Sequence, residues 1–191
     1  MDREGYRENA PDRCYHCKTE LYTSLERILS ETGAAHMLNG ANVDDLGDYR
    51  PGLQAASEHQ VLSPLVDCGI DKQEVRQLAE HWQLPVADKP ASPCLSSRIA
   101  YGEEVTEERL RRIDLAEQFL RERGISPVRV RLHPGELARI EAPLASLARL
   151  AEPATRAAIA ARFKQLGFQM VTLDLEGFRS GSLNQLIQLG D

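Results

Sequence analysis

The 191-residue sequence lacks three features that would point to a membrane or a nucleic acid. It has no apolar run approaching the roughly 18 residues of a membrane span, and its first residues lack the apolar stretch of a signal peptide. It has no positive excess either, because 23 Lys and Arg stand against 29 Asp and Glu, a net charge of −6. A broad nucleic-acid surface needs cationic side chains. We therefore predict a cytoplasmic protein that binds neither a membrane nor a nucleic acid.

Cysteine is scarce, with four residues in the chain. Disulfides are rare in the cytosol, so these cysteines are expected to be metal ligands, catalytic thiols or core residues. Cys94 lies in a Pro- and Ser-rich loop followed by Arg98, whose guanidinium would favour the nucleophilic thiolate. A buried structural cysteine is the alternative, and the local sequence does not decide between them. Cys68 follows an apolar run and is expected to pack inside.

A single Cys-x-x-Cys pair, Cys14 and Cys17, comes just before a predicted helix. Such pairs hold iron or zinc or cycle as a dithiol, although some bind nothing. The chain has no second pair to complete a closed four-ligand zinc site. Together with Cys94 the pair supplies three sulfurs, which suit a [4Fe-4S] cluster with one open iron or an open zinc site.

The first half of the chain alternates helical and strand patterns. Apolar residues at helical spacing predict a helix over 18–33, and short apolar runs predict strands near 34–38 and 61–65. Asp71 and Glu74 have the spacing of a capping box and open a helix whose buried face is expected to include Trp82. This order indicates a parallel sheet with crossover helices, an α/β fold.

The second half predicts a small α+β domain. We expect, in order, a helix capped by Thr106 and ending at Gly124, a hairpin of strands 128–133 and 137–141 turning at Pro134-Gly135, a helix ending at Gly167, and a strand over 170–175. We place the boundary near Tyr101-Gly102, which gives domains 1–101 and 102–191.

Three charged residues of the second domain are candidates for a site. Arg129 and Arg131 are two apart on a strand, so both side chains face the same way and suit an anion such as phosphate. The alternative is a solvated strand face. Glu117 lies beside the buried-face residue Ala116, where a carboxylate is either a general base or a partly buried ion pair.

A polar loop after the first predicted strand contains Gly40, Asn42 and Asp45. These residues could face a nucleotide and its magnesium, or they could only form a turn. An open α/β fold that handles nucleotides usually carries a Gly-rich phosphate loop after its first strand, and the sequence contains none. The chain therefore looks like the remainder of a longer protein.

Six segments, in order, resemble the LarE family of ATP-dependent sulfur transferases in the PP-loop pyrophosphatase superfamily. They are PDRCYHCK at 11–18, GANVDD at 40–45, YRPG at 49–52, DKPASPCLSSR at 88–98 with YG at 101–102, RVRLH at 129–133 with ARIE at 138–141, and LDLEGFRSG at 173–181. The resemblance implies that residues 1–101 are part of a PP-loop domain, similar to the adenine nucleotide alpha hydrolases, with a small substrate and sulfur-transfer domain after it.

The family helps to build the nickel-pincer nucleotide that matures lactate racemase. Its members adenylate a carboxylate of a pyridinium dicarboxylate mononucleotide with ATP and magnesium, then transfer sulfur to form a thiocarboxylate. The resemblance implies Cys94 as the sacrificial nucleophile and Glu117 as the proton-transfer residue. It implies Arg98, Arg129 and Arg131 as the residues that bind the substrate phosphate.

Two sulfur sources fit this resemblance, sacrifice of Cys94 or a sulfide on a cluster held by Cys14, Cys17 and Cys94. Gly40, Asn42 and Asp45 are the expected nucleotide-binding residues, and we expect a homo-oligomer. The family's Ser-Gly-Gly-x-Asp-Ser phosphate loop is not in the sequence, so these 191 residues should not adenylate a substrate unaided. Two competing hypotheses are a non-catalytic nucleotide-binding remnant and a PP-loop tRNA thiolase or amide ligase. The acidic charge disfavours the thiolase.

Overall fold

A computed structural model describes residues 4–47, 49–89 and 92–179. The described chain divides into two compact units. The N-terminal unit contains residues 4–6 and 10–92, and the C-terminal unit contains residues 7–9 and 93–179. The sequence placed the boundary near Tyr101, whereas Cys94 and Arg98 group with the residues that follow them.

The N-terminal unit is built on a long helix. The short helix α1 (Glu4–Arg7) comes first, with its last residue grouped in the C-terminal unit. It is followed by α2 (Arg13–Thr32), α3 (Pro51–Glu58), α4 (Pro64–Asp67) and α5 (Lys72–His81). Helix α2 packs against α3, and the small core between them is formed by Tyr22, Ala55, Ala56 and Val61. Helix α2 starts before the predicted position and includes both cysteines of the Cys-x-x-Cys pair.

The predicted strands of this unit are reduced to one parallel bridge, between Leu38 and Leu62. The Asn39 amide donates to the Leu62 carbonyl over 2.9 Å, and the Leu62 amide donates to the Met37 carbonyl over 3.0 Å. The parallel direction agrees with the prediction. The pairing is shorter than expected, and a PP-loop sheet stays a prediction.

In this unit the structure confirms the predicted start of one helix, but two residues that were predicted to be buried are exposed. Asp71 and Glu74 form the predicted capping box at the start of α5. Trp82, expected on a buried face, is exposed, because α5 ends at His81. Cys68, expected to pack inside, is also exposed, at the end of the single-turn α4.

The C-terminal unit contains the predicted hairpin. Strand β1 (Arg129–His133) pairs antiparallel with β2 (Leu137–Glu141), and β2 pairs parallel with β3 (Met170–Leu173). The turn between β1 and β2 places Gly135 and Glu136 at positive φ, which agrees with the turn predicted there. Among the described residues these three strands form one sheet in the order β1-β2-β3.

Two helices pack against this sheet, and a third packs against one of them. Helix α6 (Glu107–Arg121) begins at the predicted Thr106 cap and contacts β1, and α8 (Pro153–Gln165) contacts β3. Helix α7 (Leu144–Ala151), which the sequence analysis did not predict, packs against α8. The core contains the fully buried Ile113, Leu120, Val130, Leu132, Ala138, Ile140 and Phe163. Within the described residues, no helix has both the length and the apolar character needed to cross a bilayer.

Candidate functional site

The hairpin places four charged side chains on one face. Arg129 lies opposite Glu141, and Arg131 lies opposite Arg139. Residues two apart on a strand share a face, so these four alternate with the core residues of β1 and β2. Arg129 is 6% exposed and Arg131 is 2% exposed, so a solvated strand face is the wrong interpretation of this pair.

Arg131 is held by groups that compensate its charge. One of its terminal nitrogens donates to Glu141 Oε2 over 2.8 Å, and the other donates to the Ser97 carbonyl over 2.7 Å. Glu141 is fully buried and also accepts from Arg139 over 3.2 Å. Arg139 is in turn 3.4 Å from a carboxylate oxygen of Asp174. Buried charges are tolerated when they are paired in this way.

Arg129 is held differently. No carboxylate or carbonyl among the described residues accepts a hydrogen bond from its guanidinium, whose central carbon lies 4.6 Å from the centre of the Phe178 ring. Burial, followed by repulsion from the Arg131 and Arg98 guanidiniums, lowers the pKa of Arg129 below its ordinary value. Glu141 and Glu117 act in the opposite direction on this pKa, although neither carboxylate is hydrogen-bonded to Arg129. An anion placed here would meet a cation whose hydrogen-bond donors no described carboxylate occupies.

Glu117 lies on α6 and is 2% exposed. Its Oε1 accepts from Arg98 Nε over 3.0 Å and from the Val130 amide over 3.1 Å. Its Oε2 accepts from Arg121 over 3.1 Å. The ion pair that the sequence analysis offered as one interpretation is therefore present, and both carboxylate oxygens are occupied by donors. Position 117 also connects α6 to β1 and to the cysteine loop.

The loop that carries Cys94 leads into a 3-10 turn, Leu95–Arg98. Arg98 is buried and donates to the carbonyls of Pro93, over 2.6 Å, and Cys94, over 3.1 Å. The Ser97 amide and hydroxyl also donate to the Cys94 carbonyl, over 3.0 and 2.8 Å. Cys94 itself is exposed, so a buried structural cysteine is the wrong interpretation. Arg98 fixes the backbone of this loop with one terminal nitrogen, which donates to carbonyl and hydroxyl oxygens, while its Nε donates to Glu117.

The C-terminal unit thus contains five of the predicted site residues, because Cys94 and Arg98, which the sequence placed in the first domain, group with Glu117, Arg129 and Arg131. Arg98 joins the Cys94 loop to Glu117, and the Ser97 carbonyl joins the same loop to Arg131. What this arrangement can do is hold an anionic group on buried guanidiniums in the unit that presents an accessible thiol.

The cysteine pair belongs to the other unit. Cys14 and Cys17 are three apart in the first turns of α2, so they point to one side of the helix, and both are exposed. Within either unit, the described residues contain no group of three side chains suited to a metal ion. A metal site made by this pair together with Cys94 stays a prediction.

The polar loop of the N-terminal unit forms the turn that was offered as one of its two interpretations. The Asn42 amide donates to Asp45 over 3.2 Å, and the Asp44 amide donates to the Asn42 side chain over 3.1 Å. Asp45 is also 2.9 Å from Arg50. Gly40 has no atom within 4 Å of where a Cβ would lie. A nucleotide role for Gly40, Asn42 and Asp45 stays a prediction.

Sequence reasoning missed Glu141 and Phe178 as functional candidates. Glu141 could have been found, because the hairpin turn sets its register opposite Arg129. Phe178 follows a turn whose geometry the sequence does not give. Two resemblance segments also extend beyond the described residues, at positions 90–91 and 180–181.

The fold and the site define an α/β protein that joins a thiol-bearing loop to a cluster of buried arginines. No family model matches the chain. An uncharacterised Synechocystis protein is 45% identical over 187 residues, which cover 98% of this chain and 69% of that protein. Pyridinium-3,5-bisthiocarboxylic acid mononucleotide synthase from Lactiplantibacillus plantarum is 39% identical over 187 residues, 98% of this chain and 67% of the synthase.

An uncharacterised Methanocaldococcus jannaschii protein is 32% identical over 174 residues, 91% of this chain and 66% of that protein. The chain therefore spans about two thirds of the length of these relatives. The identity to the synthase and its coverage show that the chain belongs to the LarE family, the family of that synthase.

Proposed function

We propose that this chain performs the sulfur-transfer step of a pyridinium-3,5-bisthiocarboxylic acid mononucleotide synthase. Its substrate would be a pyridinium dicarboxylate mononucleotide with one carboxylate activated as an acyl-adenylate. Family membership supports the reaction class. The observation that carries the site is the buried Arg129, to which no described carboxylate is hydrogen-bonded, in the same unit as the exposed Cys94. A guanidinium in that state suits a phosphate monoester.

In the proposed reaction the Cys94 thiolate attacks the carbonyl carbon of the acyl-adenylate. The bond to the adenylate oxygen breaks, AMP leaves with the electron pair, and a thioester forms. A base then removes the Cα proton of residue 94, the Cβ–S bond breaks, and the thiocarboxylate leaves with the sulfur. Residue 94 becomes dehydroalanine, so each Cys94 serves once. A sulfide carried by an iron–sulfur cluster on Cys14, Cys17 and Cys94 is the alternative sulfur source.

The surrounding residues would have separate tasks. Arg98 would hold the Cys94 loop through the Pro93 and Cys94 carbonyls, in addition to lying near the phosphate. Both carboxylate oxygens of Glu117 accept hydrogen bonds from arginines. Glu117 would therefore accept the Cα proton only after its hydrogen bond from Arg98 or from Arg121 broke. In the complete enzyme, ATP and magnesium would supply the acyl-adenylate, with Gly40, Asn42 and Asp45 at the nucleotide.

Calorimetric titration of the purified chain tests this proposal. The pyridinium dicarboxylate mononucleotide should bind, and the corresponding nucleoside without phosphate should bind much more weakly. Arg129→Ala should weaken mononucleotide binding by about 1.5–3 kcal/mol, the range for hydrogen bonds to charged groups. Arg123→Ala, an exposed arginine of the same unit, is the matched control. Equal binding of mononucleotide and nucleoside would contradict the assignment of a phosphate site.

A further inference from the structure

Each of the three buried arginines of the site is contacted by a different side chain. Arg98 is held by Glu117 and Arg131 by Glu141, so a carboxylate compensates each charge. Arg129 is held by the face of the Phe178 ring. An aromatic face attracts a guanidinium through its quadrupole without carrying a charge of its own. The ring therefore positions Arg129 and leaves its positive charge available.

The segment after β3 is folded to place this ring. Asp174 continues the pairing with a hydrogen bond from its amide to the Ile140 carbonyl, and the chain then turns, with the Gly177 amide donating to the Asp174 carbonyl. Gly177 is at φ +75, and a Cβ there would lie 2.9 Å from the Ala142 carbonyl oxygen. The Phe178 amide donates to that same oxygen over 2.9 Å. The turn closes only with glycine at position 177, and it brings Phe178 back toward β1.

We infer that Phe178 is a positioning residue that keeps the Arg129 guanidinium in place for the phosphate of the substrate. The inference rests on the proposed function and deepens it, because it gives Phe178 a role that the sequence alone did not indicate.

Two carboxylates near Arg129 explain why an uncharged contact such as the Phe178 ring matters. Glu141 and Glu117 are close enough to favour the charged form of Arg129, although neither is hydrogen-bonded to it. If the ring were lost, the guanidinium could turn toward one of these carboxylates. Phosphate would then have to displace a carboxylate that already neutralises the arginine, and affinity would fall.

A matched pair of variants tests this inference. Phe178→Met keeps an apolar side chain of similar size without an aromatic face, and Phe178→Tyr keeps the face. Loss of a cation–π contact of one to two kcal/mol corresponds to a factor of about 5–30. Phe178→Met should weaken mononucleotide binding by about that factor and should leave binding of the nucleoside without phosphate unchanged. Phe178→Tyr should bind the mononucleotide like the unaltered chain.

The outcomes distinguish a failure of the role assigned to Phe178 from a failure of the proposed function. Absence of a phosphate preference in the unaltered chain would overturn the proposed function. A phosphate preference lost in Arg129→Ala but kept in Phe178→Met would overturn the role of Phe178 alone. Equal weakening for mononucleotide and nucleoside in Phe178→Met would show a merely structural residue and would also overturn it. The ¹⁵N–H resonance of Arg129 Nε, shifted by the ring in the unaltered chain, should move in Phe178→Met and stay in Phe178→Tyr.

Discussion

At the scale of single residues, the partner of each arginine decides what that arginine can do. Arg98, Arg129 and Arg131 are all at least nine-tenths buried, yet only Arg129 has no carboxylate bonded to it among the described residues. A paired guanidinium mainly holds structure, whereas a buried unpaired one costs stability and favours an incoming anion. Stability measurements should therefore distinguish these arginines even before any ligand is added.

Arg131→Ala and Arg129→Ala should differ in stability. Removing Arg131 takes a partner from the fully buried Glu141, and breaking a buried ion pair costs about 3–5 kcal/mol. The low end is expected, because Arg139 still donates to Glu141. Arg129→Ala removes no ion pair and should be far less destabilising. Hydrogen exchange of the β1 amides, which reports opening of this unit, provides the measurement. Equal losses in both variants would contradict the assigned pairing.

His133, at the end of β1, should make stability depend on pH. Burial, followed by the nearby charges of Arg139 and Arg131, lowers the pKa of His133 below its usual 6.5, while Glu141 acts in the opposite direction. Its buried Nε2 has no hydrogen-bond partner among the described residues. The unfolded chain therefore takes up a proton at a higher pH than the folded chain. The stability contributed by neutral His133 is present above about pH 6.5 and is lost as pH falls below it.

Urea midpoints between pH 7.5 and 5.0 should show this loss, because the midpoint follows stability at constant slope. His133→Gln removes the titrating group and should reduce the fall in midpoint over that range. His36→Gln changes an exposed histidine of the other unit and is the matched control. An unaltered pH dependence in His133→Gln would count against a half-buried imidazole that resists protonation.

At the scale of elements, the turn after β3 depends on one glycine. Gly177→Ala introduces a Cβ at 2.9 Å from a backbone oxygen and 3.0 Å from Leu144, in addition to the left-handed backbone strain of about 1–2 kcal/mol. Gly135→Ala carries the same strain at φ +73 with no atom within 4 Å of the new Cβ. Only Gly177→Ala should weaken mononucleotide binding, because only that turn places Phe178. Thermal unfolding and calorimetry of both variants would test this, and equal binding losses would contradict it.

The elements that the sequence predicted well are those specified by local patterns. Alternation predicted β1, the Pro134-Gly135 turn predicted β2 as its return strand, and capping chemistry predicted the starts of α5 and α6. Helix α7 was missed because it is only two turns long and starts directly after Pro143. The strands of the N-terminal unit were overestimated because a short apolar run shows that a segment is suited to a sheet, not that a neighbour is present.

In the candidate site, too, the sequence predicted the features that depend on local patterns. The spacing of Arg129 and Arg131 predicted their common face, and the position of Glu117 beside Ala116 predicted its burial. Pairing was not predictable, because it depends on strand register and on where a loop returns. Glu141 needs the hairpin register, and Phe178 needs the turn at Gly177.

At the scale of the whole molecule, the thiols are divided between the two units. Cys14 and Cys17 belong to α2, and Cys94 belongs to the unit with the arginine cluster. Cys94 is exposed, and Arg98 fixes its loop. An accessible thiol on a fixed loop can attack a bound carbonyl without Cys14 or Cys17. We therefore expect Cys94 itself to be the sulfur source.

The mass of the chain should record this outcome. The sequence contains no Gly-rich phosphate loop, so the substrate is supplied already activated, as the acyl-adenylate of the mononucleotide. After one turnover the mass should fall by that of one hydrogen sulfide molecule, and dehydroalanine should be found at position 94. Cys94→Ala should release no thiocarboxylate, whereas Cys14→Ala and Cys17→Ala should still react once.

Cys68→Ala is the matched control, because Cys68 is also exposed and lies outside the predicted metal set. Iron analysis of anaerobically reconstituted protein addresses the other source. About four irons per chain, lost in Cys14→Ala, Cys17→Ala and Cys94→Ala but kept in Cys68→Ala, would indicate a cluster. Repeated turnover with an intact Cys94 would then assign the sulfur to that cluster and contradict the sacrificial route. An intact Cys94 with neither iron nor thiocarboxylate would contradict both routes, because each requires sulfur to leave through residue 94 or through a metal bound there.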